Sequence, residues 1–313
     1  MWYPSGVDNF QIFNFMGKNV VILGAGEIGA AIGKCLKRAG HNVDFWDAVP
    51  GKVRAQKDLD KIVPKADFLF LCVPTFAVRP AITGVLAHLK RKTIIVSLAK
   101  GIEDKSLLST DQIISKLLPK GQAFAIFGGP MLAEELIPSK GGVACAGTSS
   151  KRAVSALEGL FRLSCIKIEH CADMHGVALC GVFKNIYAMG LGAVEGMRWP
   201  DNLKGWYIAR ASDEIARLLV IFKANKDTIF TSAGLGDFLA TGLSSYSGHH
   251  TIGETLARTG KCEMNRDGCK SIKPVLKIIR NKKKDFPMLL AIESVFIKGK
   301  NLRKEFGKLV EGN

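Results

Sequence analysis

The sequence has no Cys-x-x-Cys pair, although it contains eight cysteines, and several of these lie inside apolar segments. Low-complexity tracts and an internal repeat of fixed period are also missing, which argues against disordered, solenoid and propeller architectures. Scattered cysteines in apolar surroundings are typical of reduced thiols, not of a disulfide scaffold. We therefore expect a globular cytoplasmic protein.

Long hydrophobic runs are scarce as well. The nearest candidate for a membrane span, residues 286–297, is short and contains Glu293, so we expect a buried helix there. The first 15 residues have neither a basic start nor a continuous apolar centre, which argues against a signal peptide. We predict an N-terminal extension at residues 1–16.

Acidic residues are few: 28 Asp and Glu stand against 44 Lys and Arg, for a net charge of +16. Such a charge is compatible with nucleic-acid binding or with a field that attracts an anionic cofactor and substrate. The basic clusters at residues 90–92 and 280–284 have no interleaved aromatics, and no nucleic-acid motif is present. We favour the anionic small molecule.

The most informative stretch is an apolar run at residues 20–23 that leads into Gly24-Ala25-Gly26-Glu27-Ile28-Gly29 and then into a helical pattern. Gly24 permits the turn, Gly26 lets the backbone approach a pyrophosphate, and Gly29 lets the helix pack on the strand. The helix N-terminus adds unpaired N–H groups for the anion. This arrangement predicts a dinucleotide site.

Asp47 ends the next predicted strand, about 20 residues beyond the glycines, where a carboxylate binds the ribose hydroxyls. It would repel a 2′-phosphate, which favours NAD over NADP, although Lys52 and Arg54 follow closely and could reverse that preference.

Strand and helix patterns then alternate as in a doubly wound α/β sheet. Buried strands are predicted at residues 67–73, 93–98 and 123–127, and Pro74 begins a loop at the carboxyl edge, where such sheets bind ligands. Beyond about Asp173 the pattern becomes helical. We predict a dinucleotide-binding domain over residues 17–172 and a helical substrate domain over residues 173–313.

Lys184 interrupts an apolar helical segment, where an ammonium group is costly unless it is partnered or functional. Asn185 follows it. Downstream, Asp237 opens another apolar helix, with Thr241 one turn later. The alternative is structural: Asp237 caps its helix and Lys184 extends to the helix edge.

Five motifs in order resemble those of the bacterial NAD(P)-dependent sn-glycerol-3-phosphate dehydrogenases, and Asn202, Arg210 and Glu214 add supporting matches. The motifs occupy residues 24–29, 97–103, 128–135, 181–185 and 234–241.

The resemblance implies a Rossmann-type domain followed by an all-α bundle like that of 6-phosphogluconate dehydrogenase, and reversible reduction of dihydroxyacetone phosphate. It assigns catalysis to Lys184, Lys100, Asp237, Asn185 and Thr241. It assigns cofactor binding to the glycine turn, Asp47, Pro74, Lys100, Ala133 and Asp267. It assigns substrate binding to Lys100, Gly129, Lys184, Asp237, Ser247 and His249.

Three positions depart from the family pattern. Gly248 stands where members have the arginine that grips the substrate phosphate, Met131 where they have Ser or Thr, and Asp267 where they have Glu. The histidines at 249 and 250, Lys261 or Lys270 could supply a weaker positive charge.

These departures keep two alternatives open: a dehydrogenase of another hydroxy compound, or a basic dinucleotide- or nucleic-acid-binding protein without catalysis. We expect no metal, because neither His249-His250 nor His170, Cys171 and His175 have further ligands at suitable spacing. A homodimer is the expected assembly.

Overall fold

The computed structural model describes residues 17–311, so the expected N-terminal extension lies outside the described residues. The chain forms two compact units. Among the described residues, the first contains 17–99 together with Ile113–Phe127 and Met131–Met174. The second contains Lys100–Gln112, Gly128–Pro130 and residues 175–311.

The first unit is built on a seven-stranded sheet of order β2-β1-β3-β4-β5-β6-β7. Parallel pairing joins β1 to β2 and β3, β3 to β4, β4 to β5, and β6 to β7. The strands are β1 (Asn19–Leu23), β2 (Asn42–Trp46), β3 (Phe68–Leu71), β4 (Ile94–Ser97), β5 (Phe124–Gly128), β6 (Gly142–Gly147) and β7 (Ile166–Cys171). The predicted Rossmann-type sheet is confirmed.

Helices surround this sheet. They are α1 (Glu27–Arg38), α2 (Leu59–Ile62), α3 (Thr75–Val85), α4 (Thr110–Leu117), α5 (Ala133–Leu136) and α6 (Lys151–Phe161). All four residues of β3 are buried, as the continuous apolar run predicts for a strand covered on both faces. Edge-to-face contacts of Phe70 with Phe127 and Phe161 help fill the core.

The second unit is helical, as predicted. Its helices are α7 (Met174–Gly196), α8 (Asp201–Ile221), α9 (Asp237–Gly242), α10 (Gly248–Thr259), α11 (Asp267–Ile279), α12 (Pro287–Ile292) and α13 (Leu302–Glu311). Short 3₁₀ helices occupy Lys226–Phe230 and Arg280–Asp285, and short π helices occupy Ser232–Gly236 and Glu293–Ile297.

Helix α7 corrects one expectation. It is long and apolar enough to cross a membrane by length and composition, so the better candidate span is α7, not residues 286–297. Every residue of its most apolar window is buried inside the protein, however, which is the usual state of a core helix.

All eight cysteines are free thiols.

Local differences from the predicted elements have identifiable causes. The expected loop after Pro74 is helix α3, for which Pro74 is the N-cap. After β4 the chain does not enter a helix at once: α4 begins only at Thr110, because Leu107 has a positive φ of 56° and Ile102 pairs with Ser109 in an isolated bridge.

Candidate functional site

The glycine turn of the first unit has the geometry that its sequence predicts. Gly24 has a φ of 99°, and a Cβ there would collide with the carbonyl oxygen of Cys72. A Cβ on Gly29 would collide with the Gly24 carbonyl oxygen, so this glycine allows the close approach of α1 to the turn. A Cβ on Gly26, the N-cap of α1, would meet no atom within 4 Å, which leaves room beside the helix N-terminus. The turn therefore fits a pyrophosphate.

Asp47 lies just beyond the end of β2 and is tied to the same turn. Its carboxylate accepts hydrogen bonds from the amides of Ala25 (2.8 Å) and Val49 (2.9 Å). The side-chain position is thus fixed beside the glycines by backbone donors. Ala133 is the first residue of α5 and is buried.

In the second unit, two lysines converge on one carboxylate. Lys100 Nζ lies 2.7 Å from Asp237 Oδ2, and Lys184 Nζ lies 3.1 Å from Asp237 Oδ1. Lys184 also donates a hydrogen bond to Thr241 Oγ1 at 2.5 Å, and the Thr241 hydroxyl lies 3.3 Å from Asp237 Oδ1. The structure therefore brings together four of the residues that the sequence analysis singles out.

Local sequence explains this cluster. Asp237 and Thr241 are one turn apart on α9, so their side chains share a face toward Lys184. Gly181 precedes Lys184 by one turn on α7, and a Cβ there would stand 3.0 Å from Lys100 Cγ. The missing side chain at Gly181 leaves space for the Lys100 stem, which allows a second ammonium group to reach Asp237.

Burial and charge set the protonation of the cluster. Lys184 is only 6% exposed, and burial lowers its pKa to about 8, with Asp237 opposing the fall and Lys100 adding to it. Burial works to raise the pKa of Asp237, but the two ammonium groups prevail and hold it below its usual range. Asp237 is therefore ionised at neutral pH, while Lys184 loses its proton at a much lower pH than an exposed lysine does.

Polar groups of Asn185, His249 and Gly268 lie beside this cluster. The Asn185 Oδ1 atom is buried and has no hydrogen-bond partner within residues 17–311. The Gly268 amide donates to His249 Nε2 at 3.3 Å, which leaves the proton of the neutral ring on Nδ1. Burial, with the charges of Lys184 and Arg266, lowers the pKa of His249 to about 3.

Neither His249 nor His250 is available to replace the missing arginine. His249 is neutral at neutral pH, and His250 Nε2 is occupied by its contact with Glu195 Oε2 at 2.7 Å. Ser247 is the N-cap of α10, where its hydroxyl accepts from the His250 amide. Asp267 is the first residue of α11.

The remaining predicted positions are distributed through the fold. Gly129 lies in the second unit with a φ of 110°, a conformation that favours glycine. His170 Nε2 lies 2.8 Å from the Thr148 carbonyl oxygen, and His175 Nδ1 lies 2.8 Å from Asp111. In the described part of the chain, no three His, Cys, Asp or Glu residues are grouped to hold a metal ion.

Sequence reasoning missed Arg266. A Cβ on Gly248 would collide with the Arg266 guanidinium, so this cation fills the space beside Gly248. Gly248 is the first residue of α10, whereas Arg266 is the N-cap of α11, 18 positions away, and no local pattern connects them.

Comparison with protein-family models gives two matches. Residues 47–154 match the N-terminal model of NAD-dependent glycerol-3-phosphate dehydrogenase, and residues 173–306 match its C-terminal model. The two matches lie in order along the chain and together cover most of it.

Known proteins agree with this result. A glycerol-3-phosphate dehydrogenase [NAD(P)+] from Streptococcus suis is 27% identical, over 94% of this chain and 96% of the relative. One from Bacillus velezensis is 28% identical, over 91% and 92%. The crystal structure of glycerol-3-phosphate dehydrogenase from Coxiella burnetii superposes with a TM-score of 0.83 at 23% identity, over 94% of this chain and 99% of that one.

Proposed function

We infer the activity from one premise: the chain belongs to the NAD-dependent glycerol-3-phosphate dehydrogenase family. It is an NAD(P)-dependent oxidoreductase that acts on a CH–OH group, and it catalyses reversible hydride transfer between NAD(P)H and dihydroxyacetone phosphate. The observation that best supports this chemistry is that the ammonium groups of Lys100 and Lys184 both contact the Asp237 carboxylate. Neither a substrate of another class nor a function without catalysis is favoured.

Bound NAD(P)H supplies the hydride that is added to the carbonyl carbon, and the protein has to manage the charge that develops on the oxygen. We propose that Lys184 donates a proton to this oxygen during reduction and removes it during oxidation. A pKa of about 8 suits both directions, because the ammonium and amine forms are both accessible near working pH. Lys100 adds a second positive charge for the developing alkoxide.

Asp237 keeps the two ammonium groups in place and remains ionised throughout. Thr241 accepts a hydrogen bond from Lys184, which fixes the direction of the Nζ atom. The unpartnered Asn185 Oδ1 is an acceptor that fits a substrate hydroxyl. We propose that Gly129, Ser247 and His249 complete the substrate site.

We propose that the dinucleotide binds to the first unit through residues 24–29, with Pro74 and Ala133 beside it and with Lys100 and Asp267 also in contact with the cofactor. Fixed backbone donors at Gly26 and the N-terminus of α1 suit the pyrophosphate. In this proposal residues 17–172 bind the cofactor, and residues 173–313 carry most of the groups for the substrate.

Rising pH is expected to slow the reduction of dihydroxyacetone phosphate and to speed the oxidation of glycerol 3-phosphate. Reduction of dihydroxyacetone phosphate needs the Lys184 ammonium, so its kcat/KM falls as the pH rises through about 8. Oxidation of glycerol 3-phosphate needs the amine, so its kcat/KM rises over the same range. Initial rates from pH-buffered series in both directions measure this. Profiles that change in the same sense would contradict the role of Lys184.

Asp47 is expected to favour NADH over NADPH, because its carboxylate would face a 2′-phosphate of the same sign. Replacing it with serine should reduce the ratio of kcat/KM for NADH to that for NADPH by about 10-fold, an effect of roughly 1.4 kcal/mol. Asp60→Ser, which removes an exposed carboxylate from α2, is the control and should leave the ratio unchanged. If the ratio of kcat/KM for NADH to that for NADPH is unaltered in Asp47→Ser, this carboxylate does not determine the choice between the two cofactors.

The activity itself is tested by following NADH oxidation with dihydroxyacetone phosphate and with unphosphorylated dihydroxyacetone. Turnover of the phosphate ester with a much higher kcat/KM is the expected result. Turnover of the unphosphorylated ketone alone would replace the assignment with a dehydrogenase of a different hydroxy compound.

Three further properties belong to the proposal. We propose that the enzyme works in the cytoplasm, that it acts on small molecules and not on nucleic acid, and that it forms a homodimer. The small residues of α7 do not supply the dimer contact, because Cβ atoms on Gly190 and Gly192 would collide with Tyr207 and with the His250 backbone of the same unit.

A further inference from the structure

Arg266 is a cation without an obvious structural purpose. Its guanidinium forms no hydrogen bond or ion pair with another residue of the described chain, 17–311, although arginine usually forms several. It immediately precedes helix α11 and is exposed to solvent. An unpaired guanidinium beside a binding site is available to an anionic ligand.

The space for this guanidinium depends on a glycine. A Cβ at Gly248 would overlap the Cζ, Nε and Nη2 atoms of Arg266, so any other residue at this position would displace the arginine. Gly248 has no positive φ that would require glycine for its backbone. The absence of a side chain at Gly248 therefore leaves the space that the Arg266 guanidinium occupies.

Further groups near Arg266 favour an anion. Arg266 and Lys184 both lower the pKa of His249, so both charges act on its imidazole. Helix α10 begins at Gly248, and its N-terminal dipole adds positive potential beside the guanidinium. His249 Nε2 accepts from Gly268, so its Nδ1–H is left as a neutral donor. The surrounding cleft also contains the carboxylate of Glu263, which accepts a hydrogen bond from Asn265.

We propose that Arg266 binds the phosphate group of the substrate, with the N-terminus of α10 beside it, and that Gly248 makes this possible. The inference rests on the proposed function, since that function supplies a phosphate monoester as the substrate. A guanidinium binds such a dianion through two parallel hydrogen bonds. The chain thus provides the phosphate-binding cation from the start of α11 instead of from the start of α10.

Kinetics of Arg266→Ala test this assignment. Loss of a charged hydrogen-bond partner should raise the KM for dihydroxyacetone phosphate by about 10- to 100-fold, while kcat/KM for unphosphorylated dihydroxyacetone and the KM for NADH stay unchanged. Arg258→Ala is the control, because Arg258 is an exposed arginine on α10 that pairs with Glu254. An unchanged KM for the phosphate ester would overturn the assignment, and a raised KM for NADH or NADPH would assign Arg266 to the cofactor instead.

The exchange of positions gives a second test. Gly248→Arg alone should weaken substrate binding, because the new side chain collides with Arg266. The double variant Gly248→Arg with Arg266→Ala should recover part of the lost affinity, since one guanidinium is again present. If the double variant binds the substrate no more tightly than Arg266→Ala does, the guanidinium groups at positions 248 and 266 do not occupy the same place.

Direct binding of inorganic phosphate separates this inference from the activity. Calorimetric titration of the unmodified protein should show weak phosphate binding that Arg266→Ala weakens about 10-fold or more. If the protein binds phosphate through Arg266 but does not turn over dihydroxyacetone phosphate, the proposed function fails and the anion site stands. If it turns over the substrate and Arg266→Ala binds phosphate normally, only the Arg266 assignment fails.

Discussion

Replacing Lys184 with methionine is expected to lower kcat for reduction of dihydroxyacetone phosphate by about 10²- to 10⁴-fold, the usual contribution of a positioned proton donor. Methionine fills much of the buried volume but cannot release a proton. Asp237 keeps its ion pair with Lys100, so the substitution leaves no carboxylate buried without a partner. Affinity for NADH should stay unchanged, since Lys184 is not among the residues that we assign to the dinucleotide. Steady-state rates and NADH fluorescence titration measure the two effects.

Lys204→Met is the matched control. Lys204 is a partly exposed lysine on α8 that pairs with Glu195 and Asp201. Its loss should change kcat by less than about twofold, as expected for a surface ion pair. If Lys184→Met retained a kcat within about 10-fold of the unmodified enzyme while folding normally, proton transfer by Lys184 would be refuted.

Replacing Asp237 with asparagine is expected to lower kcat by about 10²-fold, because two ammonium groups lose the carboxylate that holds them. The pH profile should move as well. Asp237 raises the pKa of Lys184, so its loss lets burial and Lys100 lower that pKa below about 8. In the oxidation direction the rise in kcat/KM should therefore occur at lower pH than in the unmodified enzyme.

The control for this variant is Asp213→Asn, which removes an exposed carboxylate that pairs with Arg217 along α8. It should change neither kcat nor the midpoint of the pH profile. A midpoint of Asp237→Asn that stays in place, or moves to higher pH, would mean that Asp237 does not control the protonation of Lys184. Circular dichroism of both variants separates these outcomes from misfolding.

The fold follows from patterns that act over short distances in the sequence. The apolar runs of β1, β3 and β4, the glycine turn and the helical periodicity of the second unit are each local, and the parallel sheet has few alternatives once strands and helices alternate. Element ends are less predictable, because a backbone feature such as the positive φ of Leu107 determines where α4 begins.

The contact between Lys184 and Asp237 could be predicted from chemistry, because a lysine in an apolar helix needs a partner, and Asp237 is a carboxylate at the start of another such helix. That Lys100 joins them could not be read from spacing, since the contact spans 137 positions in the sequence. Arg266 was missed for a similar reason. From the sequence alone, glycine at position 248 indicates only that the expected arginine is absent. The structure shows that the guanidinium of Arg266 occupies the space beside this glycine.

In the reaction that we infer, the enzyme adds hydride to the carbonyl carbon of dihydroxyacetone phosphate. The most direct measurement is carbon NMR of dihydroxyacetone phosphate labelled with ¹³C at its carbonyl, incubated with the unmodified enzyme and NADH. We predict that the carbonyl signal is replaced by that of the CH–OH carbon of sn-glycerol 3-phosphate, in step with NADH consumption. A carbonyl signal that persists in the presence of folded enzyme and excess NADH would contradict the account.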